Sequence, residues 1–303
     1  MDRFESMSAL LAAVEAGSLS AASRKLGMPL ATISRKVSDL EAHLGTRLFN
    51  RTSRRLTLTD AGQSYVAACK RILDDLDEAE RAAAGEYRAP RGDLTISAPI
   101  VFGRLHVLPI ATQFLAIYPD IDVQLTLTDR IVDLMEDNVD LAVRISALPD
   151  SSLVAARVGA IRRVVCASPH YFVQRGRPKD PRDLRTHDCI TFGGAASARV
   201  WVFGSGRADE TVAIRSRLTV NTAEAAIDAA VASVGITRVL SYQVVEAVRA
   251  GTLELALSDF EPKPLPVSLI HTGQPRLPLK VRAFLDFAVP RLKSRVQDVA
   301  RFT

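Results

Sequence analysis

Residues 18–45 contain two short helical patterns that are separated by a glycine, an arrangement that few folds accommodate. The first, "SLSAASRKLG", opens on a serine N-cap, either Ser18 or Ser20, and stops at Gly27, a residue type that readily ends a helix. After a turn of about three residues, "ATISRKVSDLEAHLG" (residues 31–45) shows a second, longer pattern. Two short helices joined by a glycine-bearing turn predict a helix-turn-helix.

The second helix has an apolar side and an unusually mixed polar side. Ile33, Val37, Leu40 and Leu44 fall together on a helical wheel, which predicts that they are buried. The residues predicted to face the major groove of DNA are Ala31, Thr32, Ser34, Arg35 and Ser38. Arginine can bond guanine with two hydrogen bonds, and the smaller side chains can contact base edges or thymine methyl groups. A merely solvated face, the alternative, would more often carry Glu–Lys pairs.

A basic hairpin pattern follows the second helix. In "RLFNRTSRRLTLTDAG" (residues 47–62), apolar and polar residues alternate on both sides of "RTSRR", which predicts a β-hairpin, or wing. Eight basic and two acidic residues lie between Arg24 and Arg55, a net charge of +6 in a chain whose total is +5. Such a concentration is typical of surfaces that bind polyanions. We therefore predict that Arg51, Arg54 and Arg55 contact the DNA backbone or a minor groove, the alternative being a loop of solvated charge.

Three motifs follow one another between Gly17 and Gly62: "SLSAASRKLG", "ISRKVSDLEAHLGTRLFNR" and "LTLTDAG". In this order they resemble the winged helix-turn-helix of the LysR-type transcriptional regulators. One position departs from the family's pattern, because Pro29 stands where a serine often caps the recognition helix. Proline suits the first turn of a helix, since its missing N–H would have no partner there. The resemblance implies a DNA-binding domain at residues 1–58.

One long helix is predicted next, beginning at Thr59 or Asp60 as N-cap. Its apolar residues recur every three to four positions, at Val66, Cys69, Ile72 or Leu73, Leu76, Ala79 and Ala83. This narrow seam predicts a coiled-coil pairing, and the alternative is a core helix of the following domain. The resemblance implies a linker helix at residues 59–88 that pairs two subunits, so that two recognition helices meet a palindromic site.

Strand and helix patterns alternate from Asp93 onward. "DLTISAP", "DVQLTLTD" and "VDLAVRIS" predict strands, with helices predicted at "RLHVLPIATQFLAIYP" and "RIVDLMEDN". Such alternation predicts an α/β domain with mostly parallel strands. In the LysR-type family this region resembles periplasmic binding proteins, with an effector cleft between two subdomains. The resemblance implies subdomain I at residues 91–162 and 267–303, and subdomain II at residues 163–266.

The strand ends of this region offer candidate effector contacts. In open α/β sheets, ligands bind beyond the carboxyl ends of strands, where helix N-termini present free N–H groups. The candidates are the junction residues, a basic strand-end residue and a glycine turn that resembles the family's: Pro99, Ile100, Phe102, Thr128, Arg144, Asn221, Gly235 and Ile236. Together they favour a small anion, such as a carboxylate or a polar aromatic acid. The alternatives are structural, since Thr128 and Asn221 can cap helices and Arg144 can pair with a carboxylate.

Catalytic and cofactor-binding motifs are not found in the sequence. The five histidines have no metal-ligand spacing, and GxSxG and P-loop motifs do not occur. "GSGRAD" (residues 204–209) lacks the third glycine of a dinucleotide fingerprint and predicts a hairpin turn. We therefore expect no enzyme activity, no metal and no cofactor. Cys166 and Cys189 are interpreted as buried thiols, with a redox switch as the alternative.

The stretch "MDRFESMSALLAAVEAGS" carries acidic residues and lacks the basic region and apolar run of a secretory signal. Charged residues also interrupt the longest apolar runs of the chain. We therefore expect a cytoplasmic protein without a membrane segment.

The patterns predict a DNA-binding protein, and the resemblance implies a transcriptional regulator of LysR type. It would bind double-stranded operator DNA as a homodimer or homotetramer and respond to a small-molecule effector in its C-terminal cleft. The alternative is a cytoplasmic small-molecule-binding protein whose N-terminal module serves only dimerisation. The arginines of the wing favour the regulator.

Overall fold

The computed structural model describes residues 2–52, 55–83, 89–147, 153–193, 200–204, 209–273 and 277–302. The chain forms two compact units, Met1–Gly92 and Asp93–Thr303. Each unit buries an apolar core of its own.

The described part of the N-terminal unit contains α1 (Arg3–Glu15), α2 (Leu19–Leu26), α3 (Leu30–Leu44), β1 (Phe49–Thr52), β2 (Arg55–Leu58) and α4 (Asp60–Ala83). Gly27 and Gly45 have φ angles of 63° and 65° and end α2 and α3 in the left-handed conformation that glycine tolerates best. Of the two candidate caps, Ser18 is the N-cap of α2, since its Oγ accepts the Ala21 N–H at 3.1 Å. The predicted helix-turn-helix and its hairpin are confirmed.

A common apolar core holds the helices of this unit together. Leu10 of α1, Ile33 and Leu40 of α3, and Cys69 of α4 are fully buried in it. Leu44, predicted to be buried, is 36% exposed because it is the last residue of α3 and lies at the edge of the packed face.

Thr59 links the long helix α4 to the segment before the hairpin. Its Oγ1 accepts the Gly62 N–H at 2.9 Å and donates to the Arg47 carbonyl at 2.8 Å. Because loss of an N-cap leaves a helix N–H without a partner, we expect Thr59→Ala to lower the free energy of unfolding by about 1 kcal/mol. Urea denaturation of the full-length protein measures this loss. Thr59→Ser keeps the hydroxyl and should retain most of the stability; a serine variant as unstable as the alanine variant would contradict the capping role.

The described strands of the C-terminal part are β3 (Gly92–Ala98), β4 (Ile121–Leu127), β5 (Leu141–Ile145), β6 (Leu153–Ile161), β7 (Arg163–Ala167), β8 (Asp188–Phe192), β9 (Val200–Gly204), β10 (Asp209–Ala213), β11 (Arg215–Val220), β12 (Ile236–Leu240), β13 (Glu254–Ala256) and β14 (Leu265–Thr272). The described helices are α5 (Ile100–Phe102), α6 (Leu108–Ile117), α7 (Pro169–Arg175), α8 (Ala223–Val231), α9 (Val245–Arg249) and α10 (Leu279–Phe302). A π-helical turn, Gly103–Val107, joins α5 to α6.

Two five-stranded sheets organise the C-terminal unit, with strand orders β4-β3-β5-β14-β6 and β11-β8-β12-β7-β13. The predicted α/β class is confirmed, but the prediction of mostly parallel strands is wrong because both sheets are mixed. In the first sheet, β14 returns from late in the chain and pairs antiparallel with β5 and β6. In the second, β11, β8 and β12 are parallel, whereas β7 is antiparallel to β12 and β13. The strands β9 and β10 form a separate antiparallel hairpin.

The predicted helix at "RIVDLMEDN" is not formed, and residues 134–138 form turns instead. The Asp133 carboxylate accepts the Met135 and Glu136 N–H groups at 2.8 and 3.0 Å. The Asp137 carboxylate in turn accepts the Asp133 N–H at 3.0 Å. Aspartate side chains that bond nearby N–H groups compete with helical hydrogen bonds, and here they stabilise the turns.

One described segment, Ile100–Ile117, is long and apolar enough to cross a membrane by length and composition alone. Its Phe102, Val107, Ile110 and Phe114 side chains pack in the core of the C-terminal unit. A core helix passes the same test of length and composition, so the segment is weak evidence for a membrane span.

Candidate DNA-binding surface and effector cavity

The outward side of α3 carries the five predicted base-reading residues. Ala31, Ser34 and Arg35 are exposed, and Thr32 and Ser38 are half-buried. The structure therefore brings all five to the side of α3 that does not enter the core.

Arg35 is the one cation of that set, and its side chain forms no hydrogen bond or ion pair with the described residues. Its neighbour Lys36 is bound to Glu5 of α1, and Lys25 of α2 is 2.6 Å from Glu15. The guanidinium of Arg35 is therefore available to bind a group outside this chain, whereas the two lysines are partly neutralised.

The N-terminus of α3 has Pro29 as its N-cap residue and no side-chain cap. This agrees with the expected consequence of proline at that position. N–H groups in the first turn of a helix lack intrahelical acceptors and carry partial positive charge, so they can bind a phosphate.

The hairpin is fixed to α3 through a carboxylate. Glu41 of α3 accepts the Leu48 and Phe49 N–H groups at 2.8 and 3.2 Å. The base of the wing is therefore held against the recognition helix, which sets the position of the strands that extend from it.

Two of the three predicted wing arginines, Arg51 and Arg55, lie on the described strands of the hairpin. Arg51 of β1 is opposite Leu56 of β2, and Arg55 of β2 is opposite Thr52 of β1. Arg54 lies outside the described residues, as do the side chains of Arg51 and Arg55. The backbone thus places the two flanking arginines on neighbouring strands near the tip of the hairpin.

A cavity of about 550 Å³ lies in the C-terminal unit, lined by residues of both five-stranded sheets and of the β9–β10 hairpin. It contains four of the eight predicted effector residues: Pro99, Thr128, Arg144 and Asn221. Its size is within the range of sites that bind small molecules.

The other four predicted residues lie outside the lining. Phe102 and Ile236 are fully buried in apolar cores. Gly235 packs against the backbone, since a Cβ there would lie 2.3 Å from the Asp188 carbonyl oxygen. Ile100, at the start of α5, follows the lining residue Pro99 without joining it. The structure gives Phe102, Gly235 and Ile236 packing roles behind the cavity wall.

Asn221 and Thr128 differ in how far the fold itself uses them. The cap of α8 is Thr222, whose Oγ1 accepts the Ala225 N–H at 3.2 Å. Asn221 is therefore not the cap, and its side chain forms no hydrogen bond with the described residues. Thr128 accepts the Arg130 N–H at 3.2 Å and so supports the local turn.

Arg144 does not form the carboxylate pair that was its alternative role, as far as the described residues extend. Its guanidinium donates to the Val132 carbonyl. Burial lowers the pKa of Arg144, because a charged group loses solvation in the wall. An anion in the cavity would restore that lost stabilisation.

The cavity also contains residues that the sequence did not indicate: Arg163, Trp201, Arg238 and Tyr242. The described lining carries four arginines and one carboxylate. That carboxylate, Asp129, accepts the Ile100 N–H at 3.1 Å. Burial, with a smaller contribution from Asp129, raises the pKa of Tyr242, so its hydroxyl remains protonated and can donate a hydrogen bond. The sequence contained one signal for Arg238. It lies within the apolar strand "ITRVL", and a charged side chain there requires a polar environment.

Cys166 and Cys189 are free and buried on opposite faces of the second sheet. Cys166 packs against α8, whereas Cys189 lies among residues that pack with the β9–β10 hairpin. Burial raises the pKa of each thiol to about 12, which keeps both protonated and unreactive. Their placement favours the interpretation of both cysteines as buried thiols over that of a redox switch.

Comparisons with known proteins agree along the whole chain. Residues 4–63 match the family "Bacterial regulatory helix-turn-helix protein, lysR family", and residues 88–293 match the "LysR substrate binding domain". The chain is 34% identical to an HTH-type transcriptional repressor of Pseudomonas aeruginosa over 291 residues, which cover 95% of this chain and 92% of the relative.

Two solved structures are similar over nearly their full length. CrgA, a LysR-type transcriptional regulator from Neisseria meningitidis, is 29% identical with a TM-score of 0.61, covering 95% of this chain and 98% of CrgA. The Vibrio cholerae virulence activator AphB is 28% identical with a TM-score of 0.60, covering 94% of this chain and 98% of AphB. These similarities favour the regulator over a small-molecule-binding protein whose N-terminal module only dimerises.

Members of this family are transcription factors that bind operator DNA and small effectors and act as oligomers. With both family domains in order along one chain, this protein belongs to the LysR family of transcriptional regulators, and it joins a helix-turn-helix DNA-binding domain to an effector-binding domain.

Proposed function

We propose that the outward face of α3 reads operator bases and that the wing arginines contact the DNA backbone or a minor groove. The observation that carries this proposal is Arg35, an exposed cation on the recognition helix with no partner among the described residues. Ala31, Thr32, Ser34 and Ser38 surround it on the same face and supply hydroxyl and methyl contacts.

The effector we propose is a small organic anion bound in the 550 Å³ cavity. Arg144 supplies a positive charge in the wall, and Thr128 and Asn221 supply polar contacts. Of the four lining arginines only Arg130 has a described carboxylate partner, Asp137 at 2.8 Å, so the cavity keeps a net positive charge. Regulation would follow a population shift, because an effector that prefers one arrangement of the protein favours one DNA-binding state.

Arg144→Gln tests this effector site. We expect that a collection of small carboxylic acids contains one that changes the affinity of the full-length protein for DNA upstream of its own gene. The variant should need about tenfold more of that acid, because charge-assisted hydrogen bonds contribute about 1.5 to 3 kcal/mol. Fluorescence anisotropy of labelled DNA measures the change in DNA affinity and the acid concentration that produces it. Arg130→Gln is the matched control, since it removes a lining arginine already neutralised by Asp137. Equal acid sensitivity of wild type and Arg144→Gln would contradict the assignment.

We further propose a homodimer, or a dimer of dimers, that pairs through α4 and works in the cytoplasm. The first turns of α4 bury Val66 and Cys69 within the DNA-binding unit. Farther along, Ile72 is 44% exposed and Ala79 is exposed, with Leu76 half-buried between them. Apolar residues at this spacing on an outer helix face are typical of a helix-pairing seam.

A further inference from the structure

Two arginines of the cavity wall are neighbours on one face of the second sheet. In the antiparallel pairing of β7 with β12, Arg163 is opposite Leu240 and Arg238 is opposite Val165. Side chains alternate along a strand, so Arg163 and Arg238 are diagonal neighbours on the same face, about 7 to 8 Å apart at Cα. Both line the cavity.

The β9–β10 hairpin holds Arg238 in place. The guanidinium donates to the Val202 carbonyl at 2.7 Å, and its carbon lies 5.3 Å from the Trp201 ring centroid and 5.6 Å from that of Phe203. A guanidinium that stacks on aromatic rings and bonds one carbonyl still has free N–H donors. Because the side chain is already held in place, it loses little conformational entropy when those donors bind a ligand. Arg238 is therefore positioned before any ligand arrives.

The two charges are not balanced by a carboxylate in the described chain. The side chain of Arg163 forms no hydrogen bond or ion pair with the described residues, and the described partners of the Arg238 side chain are the Val202 carbonyl and the two rings. The nearby Glu261 is paired with Arg162 at 3.2 Å. Burial, with repulsion from Arg163, lowers the pKa of Arg238 to about 10, and burial also lowers the pKa of Arg163.

Adjacent half-buried cations without a counter-ion are unfavourable, since each loses solvation and each repels the other. A bound anion would relieve both costs. The planar guanidinium also matches a carboxylate or phosphate through two parallel hydrogen bonds.

We propose that Arg163 and Arg238 form a second anion subsite of the cavity, so that the effector carries two acidic groups joined by an apolar body. One group binds this pair on β7 and β12, and the other binds near Arg144 on β5 of the other sheet. The apolar lining residues Phe192 and Trp201 suit the body between them. This proposal rests on the proposed effector role of the same cavity.

Trp201 makes the subsite directly observable, because it is the only tryptophan of the chain and Arg238 stacks on it. Inorganic phosphate titrated into the full-length protein, against sodium chloride of equal ionic strength, should change Trp201 fluorescence in a saturable way. Arg163→Gln should weaken the apparent phosphate affinity at least about tenfold, and it leaves the Arg238–Trp201 stack in place. Arg130→Gln should bind phosphate nearly as wild type does.

Matched acids test the requirement for two acidic groups. Phthalate, isophthalate and terephthalate are compared with benzoate by the same fluorescence, and at least one diacid should bind about tenfold more tightly than benzoate. Arg163→Gln should remove that advantage and keep benzoate binding. Its melting temperature without phosphate should not fall below that of wild type, because a repulsion is removed; a fall would indicate a structural role and overturn the proposal.

The outcomes separate this subsite from the effector cavity itself. Absence of saturable phosphate binding, phosphate binding that Arg163→Gln does not weaken, or no diacid stronger than benzoate overturns the subsite. If benzoate nevertheless binds and Arg144→Gln weakens it, the effector cavity stands without the second subsite. If none of the acids nor phosphate changes Trp201 fluorescence, the subsite fails, and the effector cavity fails with it if no acid of the collection changes the affinity for DNA.

Discussion

Arg35→Ala is expected to weaken binding to a specific operator by about 1 to 3 kcal/mol and to change binding to random DNA far less. Arg35 is exposed on the outer face of α3 and has no partner among the described residues. Its removal therefore costs the fold little, and the lost free energy is that of a base contact. A bidentate contact with guanine discriminates between sequences, whereas phosphate contacts do not.

The measurement is salt-titrated fluorescence anisotropy on DNA upstream of the protein's own gene, with random DNA alongside. Arg35→Lys is the matched control, since it keeps the positive charge and loses the planar pair of donors. We expect the lysine variant to retain the salt dependence of wild type and to lose most of its sequence preference. Equal losses on specific and random DNA for Arg35→Ala would show that Arg35 contributes only charge.

The DNA-binding unit was predictable because its signals are local. The turn glycine Gly27 ends α2, and Thr59 caps the Gly62 N–H three positions away, so both act on neighbours within a few residues. Periodicity then indicates which side of α3 is buried, and the exposed remainder follows. Leu44 is more exposed than its wheel position predicts because it lies at the end of α3, beyond the packed face. A helical wheel does not show where along a helix the packing ends.

The cavity was only half predictable because its residues meet through sheet register. The strand-end rule indicates which end of a sheet a ligand reaches, and two of the residues it indicated, Thr128 and Arg144, line the cavity. It does not indicate which side chains turn toward the cavity, so Phe102 was included although it is buried in a core. Ile236 was included for a different reason, the resemblance of its glycine turn to that of the family, and it too is buried in a core. Whether such a residue faces the core or the cavity depends on side-chain direction, which changes from one residue to the next along a strand or a turn.

Arg163 and Arg238 are cavity residues that local sequence patterns did not predict. They are 75 positions apart, and they become neighbours only through the antiparallel pairing of β7 with β12. The alternation of strand and helix patterns suggested parallel pairing, which would have placed different residues opposite each other. A long-range pairing of this kind cannot be obtained from local periodicity.

Ile72→Glu is expected to produce a monomer and to reduce affinity for a palindromic operator by about a hundredfold to ten-thousandfold. Two DNA-binding units held together bind two half-sites as one event, and that advantage disappears when the subunits separate. A glutamate in an apolar helix seam would bury an unpaired charge in the dimer, a cost that the monomer does not carry. Since Ile72 is 44% exposed within one chain, the substitution should leave the fold of the monomer intact.

Analytical ultracentrifugation gives the oligomeric state, and anisotropy on full and half operators gives the two affinities. Gln63→Glu is the matched control, because it adds the same charge to an exposed position on the opposite side of α4. A monomeric Ile72→Glu that still binds a half-site as wild type does would place the pairing in α4 and the base reading in α3. A variant that remains dimeric would place the main interface on the C-terminal unit instead. In that case α4 would serve as a spacer, and the effector-binding unit would itself control how the two DNA-binding units are paired.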